Sequence, residues 1–228
     1  MLLRLPGLLT PDQVARCRKS LAAAAWTDGR ATAGAQSGLA KHNQQLPDDA
    51  PEAKALGELI LAALAANAAF MSAALPLKVF PPLFNRYGPG MGFGDHIDNA
   101  VRASPVTGAR YRTDLSCTVF MSGPDDYDGG ELVIEGGGLT PARVKLPAGD
   151  AILYPATTVH RVEPVMRGER WAAVFWVQSM VADGGRRALL HDLDRAIAAA
   201  RADLGDAHAA AVSLVGVYHN LVRMWCEV

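Results

Sequence analysis

From Leu77 to Met180 the chain breaks into short runs rich in Val, Phe, Tyr, Thr and Ile, separated by Pro-Gly and Gly-Gly pairs. Runs of this kind are too short for helices and suit pleated strands bounded by turns. Strands are expected over 78–87, 92–98, 114–121, 130–135, 142–146, 150–154, 159–165 and 170–179. Eight short strands over roughly a hundred residues suit a double-stranded β-helix, the jelly-roll, cupin-like barrel whose mouth commonly holds a ligand.

The flanks of this region read as helices. Thr10 can cap a helix over 10–25, with Pro11 at its first position and Gln13 placed to complete a capping box. Residues 27–51 lack apolar periodicity and read mostly as loop. A second helix is expected over 51–74, where Leu56, Leu59, Ile60, Ala63 and Leu64 form one stripe. After Ser179 the helical period returns in Leu189, Leu190, Leu193, Ile197 and Ala200, and again from Val212 to Val222. The fold class is therefore α+β. Residues 1–180 form the barrel domain with its N-terminal helices, and residues 181–228 form a C-terminal helical extension. The apolar stripe of Val212, Leu214, Val215, Val217, Leu221 and Trp225 is expected to support a homodimer.

Composition removes several classes of function. With 22 basic and 23 acidic side chains among 228 residues the net charge is −1, so nothing draws the chain towards nucleic acid or an anionic membrane. Cys17, Cys117 and Cys226 are far apart and odd in number, which argues against disulfides or a thiolate zinc site and suits a reducing compartment. No export signal or spanning segment is visible, so a cytoplasmic location is expected. No Gly-x-Ser-x-Gly elbow or phosphate loop is present.

The chemistry concentrates at Gly94-Asp95-His96-Ile97-Asp98-Asn99. In a strand, residues two apart project from one face, so His96 and Asp98 can converge on one metal ion. Taken alone, a His-x-Asp pair is a weak signal that surface loops often supply. His160 offers a third ligand at the start of a later strand. Two imidazoles and one carboxylate leave open positions on the metal, the arrangement of non-haem ferrous oxygenases, whereas zinc prefers a more closed tetrahedron. Ten residues on, Arg170 begins the strand 170–179. If it points into the barrel, Ala172, Val174, Trp176 and Gln178 share its face and form an apolar wall with a single anion anchor. Tyr87 is a second residue for the same anion, or else a wall aromatic. The Asp125-Asp126-Tyr127-Asp128 cluster lacks the closing Glu of a calcium loop and reads as a solvated turn. His191, His208 and His219 read as solvated helical histidines, and Cys117 as a small core residue.

The series His96-x-Asp98, His160, Arg170 resembles the iron(II)/2-oxoglutarate-dependent dioxygenases. Lys41-His42-Asn43-Gln44-Gln45-Leu46, Phe84-Asn85-Arg86-Tyr87, Asp95-His96-Ile97-Asp98-Asn99, Asp128-Gly129-Gly130-Glu131-Leu132 and Phe175-Trp176-Val177-Gln178-Ser179-Met180 narrow the similarity to the bacterial PKHD-type hydroxylases, a family often linked to iron uptake. The similarity spans nearly the whole chain. It implies that His96, Asp98 and His160 bind Fe(2+) and that Arg170 binds the distal carboxylate of 2-oxoglutarate. O2 is then the second cosubstrate and L-ascorbate the reductant. The implied reaction hydroxylates a C–H bond and releases succinate and CO2. Halogenases of the superfamily replace the carboxylate ligand by a small residue, and Asp98 argues against that branch.

Two other readings share the barrel: a metal-dependent cupin enzyme that uses no 2-oxoglutarate, and a non-catalytic iron or metabolite sensor. The first leaves Arg170 without its ligand, and the complete set of four residues favours an enzyme over the second. His42, Asn43, Gln45, Arg86, Asn99 and Arg102 are expected in loops around the mouth, with Arg110 nearby. They suit a peptide or a polar small molecule, and the arginines suit an anionic chelator of the siderophore kind slightly better than a prolyl or lysyl side chain.

Overall fold

A computed structural model describes residues 1–32, 35–104, 108–136 and 140–228. Two antiparallel sheets form the body. The larger runs in the order Leu3–Leu5, Ala151–Pro155, Leu115–Phe120, Arg170–Ser179, Leu83–Tyr87, Gln44–Gln45 and Thr27–Asp28, with Pro76–Val79 also paired to Arg170–Ser179. The smaller runs Ala142–Val144, Leu132–Ile134, His160–Val162, Gly92–His96 and Lys41–His42. Tyr87, Phe120, Ile152 and Tyr154 of the larger sheet share one apolar cluster with Leu132, Ile134, Val144 and Val162 of the smaller. The two sheets thus enclose a common interior, as a double-stranded β-helix requires.

Strand alternation decides what each face of the larger sheet does. Leu115, Cys117, Val119, Ala173, Phe175 and Val177 project away from the barrel into the main core. There they meet Val14, Cys17 and Leu21 of the helix Pro11–Ala23, Leu56, Ile60 and Leu64 of Pro51–Ala65, and Phe70 and Ala73 of Ala68–Ala74. Cys117 is the small core residue expected. The first helix carries the expected capping box: Gln13 N–H donates to Thr10 Oγ1 at 3.2 Å, and Thr10 N–H to Gln13 Oε1 at 2.8 Å.

Several expected elements are subdivided. The strand 78–87 is interrupted at Phe80-Pro81-Pro82, because two prolines lack the N–H groups a ladder needs. Both halves still pair with Arg170–Ser179. The helix 51–74 is two helices bent by 85°, since Asn67 stops the first and caps the second by accepting from Phe70 N–H at 2.9 Å. The stretch 27–51 carries more structure than its composition suggests: three two-residue strands, Thr27–Asp28, Lys41–His42 and Gln44–Gln45, add to the sheet edges, and Gly29–Thr32 and Ala35–Ala40 form helical turns. Such two-residue strands leave no periodic trace; they exist because a sheet edge offers free ladder groups. Residues 33 and 34 of this stretch lie outside the described ones.

The helices Gly184–Leu204 and Ala209–Trp225 fold back on the body. Leu190, Tyr218, Leu221, Val222 and Trp225 pack with Leu75, Met180 and Val181, and Glu227 N–H donates to Met180 C=O at 2.7 Å. Part of the stripe expected to mediate self-association, Leu221 and Trp225, is therefore used within the chain, while Val212 and Val217 are exposed. Leu189 is exposed too, so the stripe of the preceding helix is carried by Leu190 and Ile197. Among the described residues no single helix is long and apolar enough to cross a membrane.

Removing the Asn67 cap should unsettle the bend. Asn67→Ala is expected to lower unfolding free energy by about 1 kcal/mol, read from the urea midpoint at unchanged slope, with metal binding unaffected.

Candidate metal and anion site

His160 opens the strand His160–Val162 and lies directly opposite His96, the last residue of Gly92–His96, in the ladder of the smaller sheet. Asp98 follows two residues on, just beyond the strand end. This register brings together the three residues expected from sequence. One ligand atom from each of His96, Asp98 and His160 lies within 4.8 Å of the others, and among the described residues no other group of metal-ligating side chains does so. The ring centroids of the two histidines are 4.2 Å apart, and His160 Nε2 is 3.7 Å from Asp98 Oδ2.

Local contacts aim these ligands. His96 Nδ1 lies 2.8 Å from Gly94 C=O, and His160 Nδ1 lies 2.9 Å from Thr158 C=O. A carbonyl can only accept, so each Nδ1 carries the proton and each Nε2 keeps its lone pair for the cluster. Phe93 stacks on His96 with centroids 3.6 Å apart, and Tyr154 meets His160 edge-on at 5.2 Å. Ser116 Oγ donates to Asp98 Oδ2 at 2.6 Å, leaving the other carboxylate oxygen for a metal. Burial, followed by the neighbouring His160, pushes His96 down to about 4, so its ring is neutral at physiological pH and needs no deprotonation before it can ligate.

The same cavity holds Arg170, as expected. It is 1% exposed, and its Nε has no hydrogen-bond partner. Its guanidinium lies 5.3 Å from the centroid of the Tyr87 ring, its direct neighbour across the ladder, and 5.4 Å from that of Phe120. Val174 and Trp176 share its wall by alternation. Aromatic faces attract a cation but do not replace its solvation, so a guanidinium sealed this deeply requires an anion. Two neutral nitrogens, one carboxylate and a sealed guanidinium with an unpartnered Nε fit a divalent metal beside a dicarboxylate.

Sequence reasoning missed several participants. Tyr127 was hidden in what reads as a solvated acidic turn. Asp126 and Asp128 do face solvent, paired with Arg18 and Arg167, whereas Tyr127 between them is fully buried with its hydroxyl beside Arg170, whose charge and N–H counter the rise that burial imposes on it. Gly168 makes the approach possible: at φ 73° its position would put a Cβ 2.0 Å from Asp126 C=O. Ser116 lies in an apolar run and Phe93 between two glycines, and neither carries a motif. Lys41 also lines the cavity; burial first, then the charge of Arg102, pushes its ammonium down to about 8.

The residues expected around the mouth divide. Asn99 and Arg102 line the cavity, as does the buried Gln45, but Arg102 and Gln45 sit on strands rather than in loops. Asn43 is likewise buried, donating to Asn85 Oδ1 at 2.9 Å. Arg86 donates to Gln44 Oε1 and lies over Trp26, outside the cavity lining, and Arg110 and His42 are exposed. His191 is not solvated: it is buried against the preceding helices, 2.9 Å from Ser72 Oγ through Nδ1. His208 caps the last helix, and His219 is exposed.

Residues 82–178 match the 2OG-Fe(II) oxygenase superfamily, and residues 184–227 match the PKHD-type hydroxylase C-terminal domain. A PKHD-type hydroxylase of Methylobacterium nodulans is 57% identical over 227 residues, covering 100% of both chains. Among solved structures, a Pseudomonas putida prolyl-4-hydroxylase is similar with a TM-score of 0.54 at 18% identity, over 78% of this chain and 92% of that one. A Trichoplax adhaerens prolyl hydroxylase, in complex with a hypoxia inducible factor peptide, gives 0.55 at 12% identity, over 82% and 86%.

Two outcomes follow from the site. Arg170→Lys keeps the charge but loses the planar fork, and should weaken 2-oxoglutarate by about 2 kcal/mol, roughly thirtyfold, while iron binding changes little; calorimetric titration of the metal-loaded protein checks this. In the metal-free protein, a His96 held near 4 in the folded state and at its ordinary 6.5 when unfolded makes the unfolded chain bind more protons between those values. Stability should therefore fall as pH drops from about 6.5 to about 4, and His96→Gln should flatten that slope in urea titrations.

Proposed function

The chain belongs to the PKHD-type hydroxylases of the 2OG-Fe(II) oxygenase superfamily, and from that premise we propose that it hydroxylates a C–H bond of a polar small-molecule substrate through iron held by His96, Asp98 and His160. The observation that carries this reading is that one cavity contains both the metal-ligating cluster and a sealed guanidinium with an unused N–H. When bound, iron supplies the activation of dioxygen, in which 2-oxoglutarate loses carbon dioxide to become succinate and the two oxygen atoms are divided between succinate and the product.

The protein's own residues bind, orient and shield. His96 and His160 present lone pairs fixed by their backbone partners, and Ser116 holds the Asp98 carboxylate in one rotamer. Arg170 takes the far carboxylate of 2-oxoglutarate as a bidentate partner, with the Tyr127 hydroxyl in reach of the same charge and the Tyr87 ring as the wall beneath it. Phe93, Leu132, Val162 and Val174 line the cavity and keep water from the reacting groups. The cupin reading without 2-oxoglutarate leaves the sealed Arg170 with no counter-charge. A role in iron homeostasis, and ascorbate as the reductant that maintains the ferrous state, are supported by resemblance to the family and complete the proposal.

The protein loaded without oxygen should bind one ferrous ion per chain. Even outer-shell partners of a metal contribute roughly 10–100-fold to affinity, so Asp98→Ala should weaken iron by at least about a hundredfold and stop succinate formation from 2-oxoglutarate and O2. Unchanged iron content in a combined Asp98→Ala, His160→Ala variant would refute the assignment.

A further inference from the structure

A second cation reaches the cavity from outside both barrel sheets. Arg102 sits on the strand Val101–Ala103, which pairs with Arg110–Arg112 in a separate two-stranded ribbon. Its guanidinium lies 4.0 Å from the centroid of the Trp176 ring and 5.4 Å from that of Phe80. Tyr111, on the partner strand, packs edge-on against the same Phe80 at 5.3 Å. The ribbon is thereby fastened to the barrel by aromatic contacts, and the guanidinium is held flat against one of them. Stacking occupies the face of the guanidinium and leaves its N–H edge for other partners. Arg102 Nε is buried without a hydrogen-bond partner, and the side chain makes no ion pair among the described residues.

The charges around it do not close. The anions in its field are Asp98 and Asp48. Asp98 accepts from Ser116 and, on the reading above, ligates iron. Asp48, together with Asp28, also acts on Lys41, which donates to Gln45 Oε1 at 3.0 Å, and Gln45 in turn donates to Asp48. Taken together, iron(II), Arg170, Lys41 and Arg102 would bring five positive charges against four negative ones on the 2-oxoglutarate dianion, Asp98 and Asp48. One positive charge is left over, and Arg102 is the cation at the mouth without an ion pair among the described residues. It is also the shallower of the two guanidinia, half-buried where Arg170 is sealed. A deep anchor suits the cosubstrate that enters first, and a shallow one suits the molecule that enters after it.

We propose that Arg102 is a specificity-determining residue that receives a carboxylate of the substrate, so that the substrate is a small carboxylic acid lying between Trp176 and the His96–Asp98–His160 cluster. A carboxylate is favoured because its single negative charge balances the one surplus positive charge while its two coplanar oxygens match the planar fork, whereas a phosphate dianion would leave a buried negative charge uncompensated. The inference rests on the oxygenase reading of the same cavity.

The test uses the full chain loaded with zinc(II), a redox-inert stand-in for iron, and saturated with 2-oxoglutarate so that Arg170 is occupied. Hexanoate and its neutral isostere hexanamide serve as probes, followed by saturation-transfer NMR, and retention of isotope-labelled 2-oxoglutarate is measured on the same samples by dialysis. Hexanoate should bind saturably and at least tenfold more tightly than hexanamide. Arg102→Gln should erase that preference, and Arg102→Lys should restore part of it. Equal binding of the two probes, no binding of either, or hexanoate binding unchanged in Arg102→Gln would overturn the role of Arg102. A wild-type protein that retains no 2-oxoglutarate would instead contradict the oxygenase reading, which keeps the two failures apart.

Discussion

The pairing register of the strand Arg170–Ser179 is the constraint on which the rest depends. Its residues alternate between two environments that could hardly differ more. Ala173, Phe175 and Val177 close the apolar core against three helices, while Arg170, Val174 and Trp176 face the cavity. A slip of one residue would exchange the two sets, driving a guanidinium into the main core and Phe175 into the cavity. Such a slip is opposed on both edges, by Leu115–Phe120 on one side and by Leu83–Tyr87 with Pro76–Val79 on the other. The energy of helix packing is in this way used to fix the position of an anion anchor.

The smaller sheet solves a complementary problem. Its five short strands offer little packing of their own, yet the ladder sets His160 opposite His96 and leaves Asp98 at the strand end, where the chain can turn its carboxylate inward. The ligands come from rigid backbone, and their rings are fixed by carbonyls two residues upstream. Preorganisation of this kind lowers the entropy a metal would otherwise have to remove on binding. The cost is a buried guanidinium whose Nε lacks a partner and an imidazole that burial holds neutral.

Much of this was legible in the sequence, for identifiable reasons. Strand alternation and turn punctuation are local, so the barrel strands and the shared face of Arg170, Val174 and Trp176 follow from period two alone. The metal cluster was legible because its residue types are chemically distinctive and two of its members are two residues apart. What stayed hidden depends on contacts distant in sequence. Tyr127 sits in an acidic turn and is buried only because the Tyr127–Gly129 and Val165–Gly168 strands pair across it. Ser116 reads as one more small residue in a buried strand until Asp98 is seen above it. Asn67 is an ordinary polar residue in an alanine-rich segment, and its capping role appears only once the helix bends. Arg86, Arg102 and Arg110 look equivalent in sequence, but only Arg102 is turned into the cavity, by aromatic contacts that no local pattern announces.

The central claim is that one iron ion and one 2-oxoglutarate share the cavity, the metal on His96, Asp98 and His160 and the far carboxylate on Arg170. Diffraction at the iron absorption edge from crystals loaded with ferrous iron and 2-oxoglutarate in the absence of oxygen tests it most directly. A single anomalous peak in bonding contact with those three side chains, with the distal carboxylate forked onto Arg170, is the predicted result. A peak elsewhere, or a carboxylate seated on Arg102 with Arg170 still unpartnered, would contradict the account.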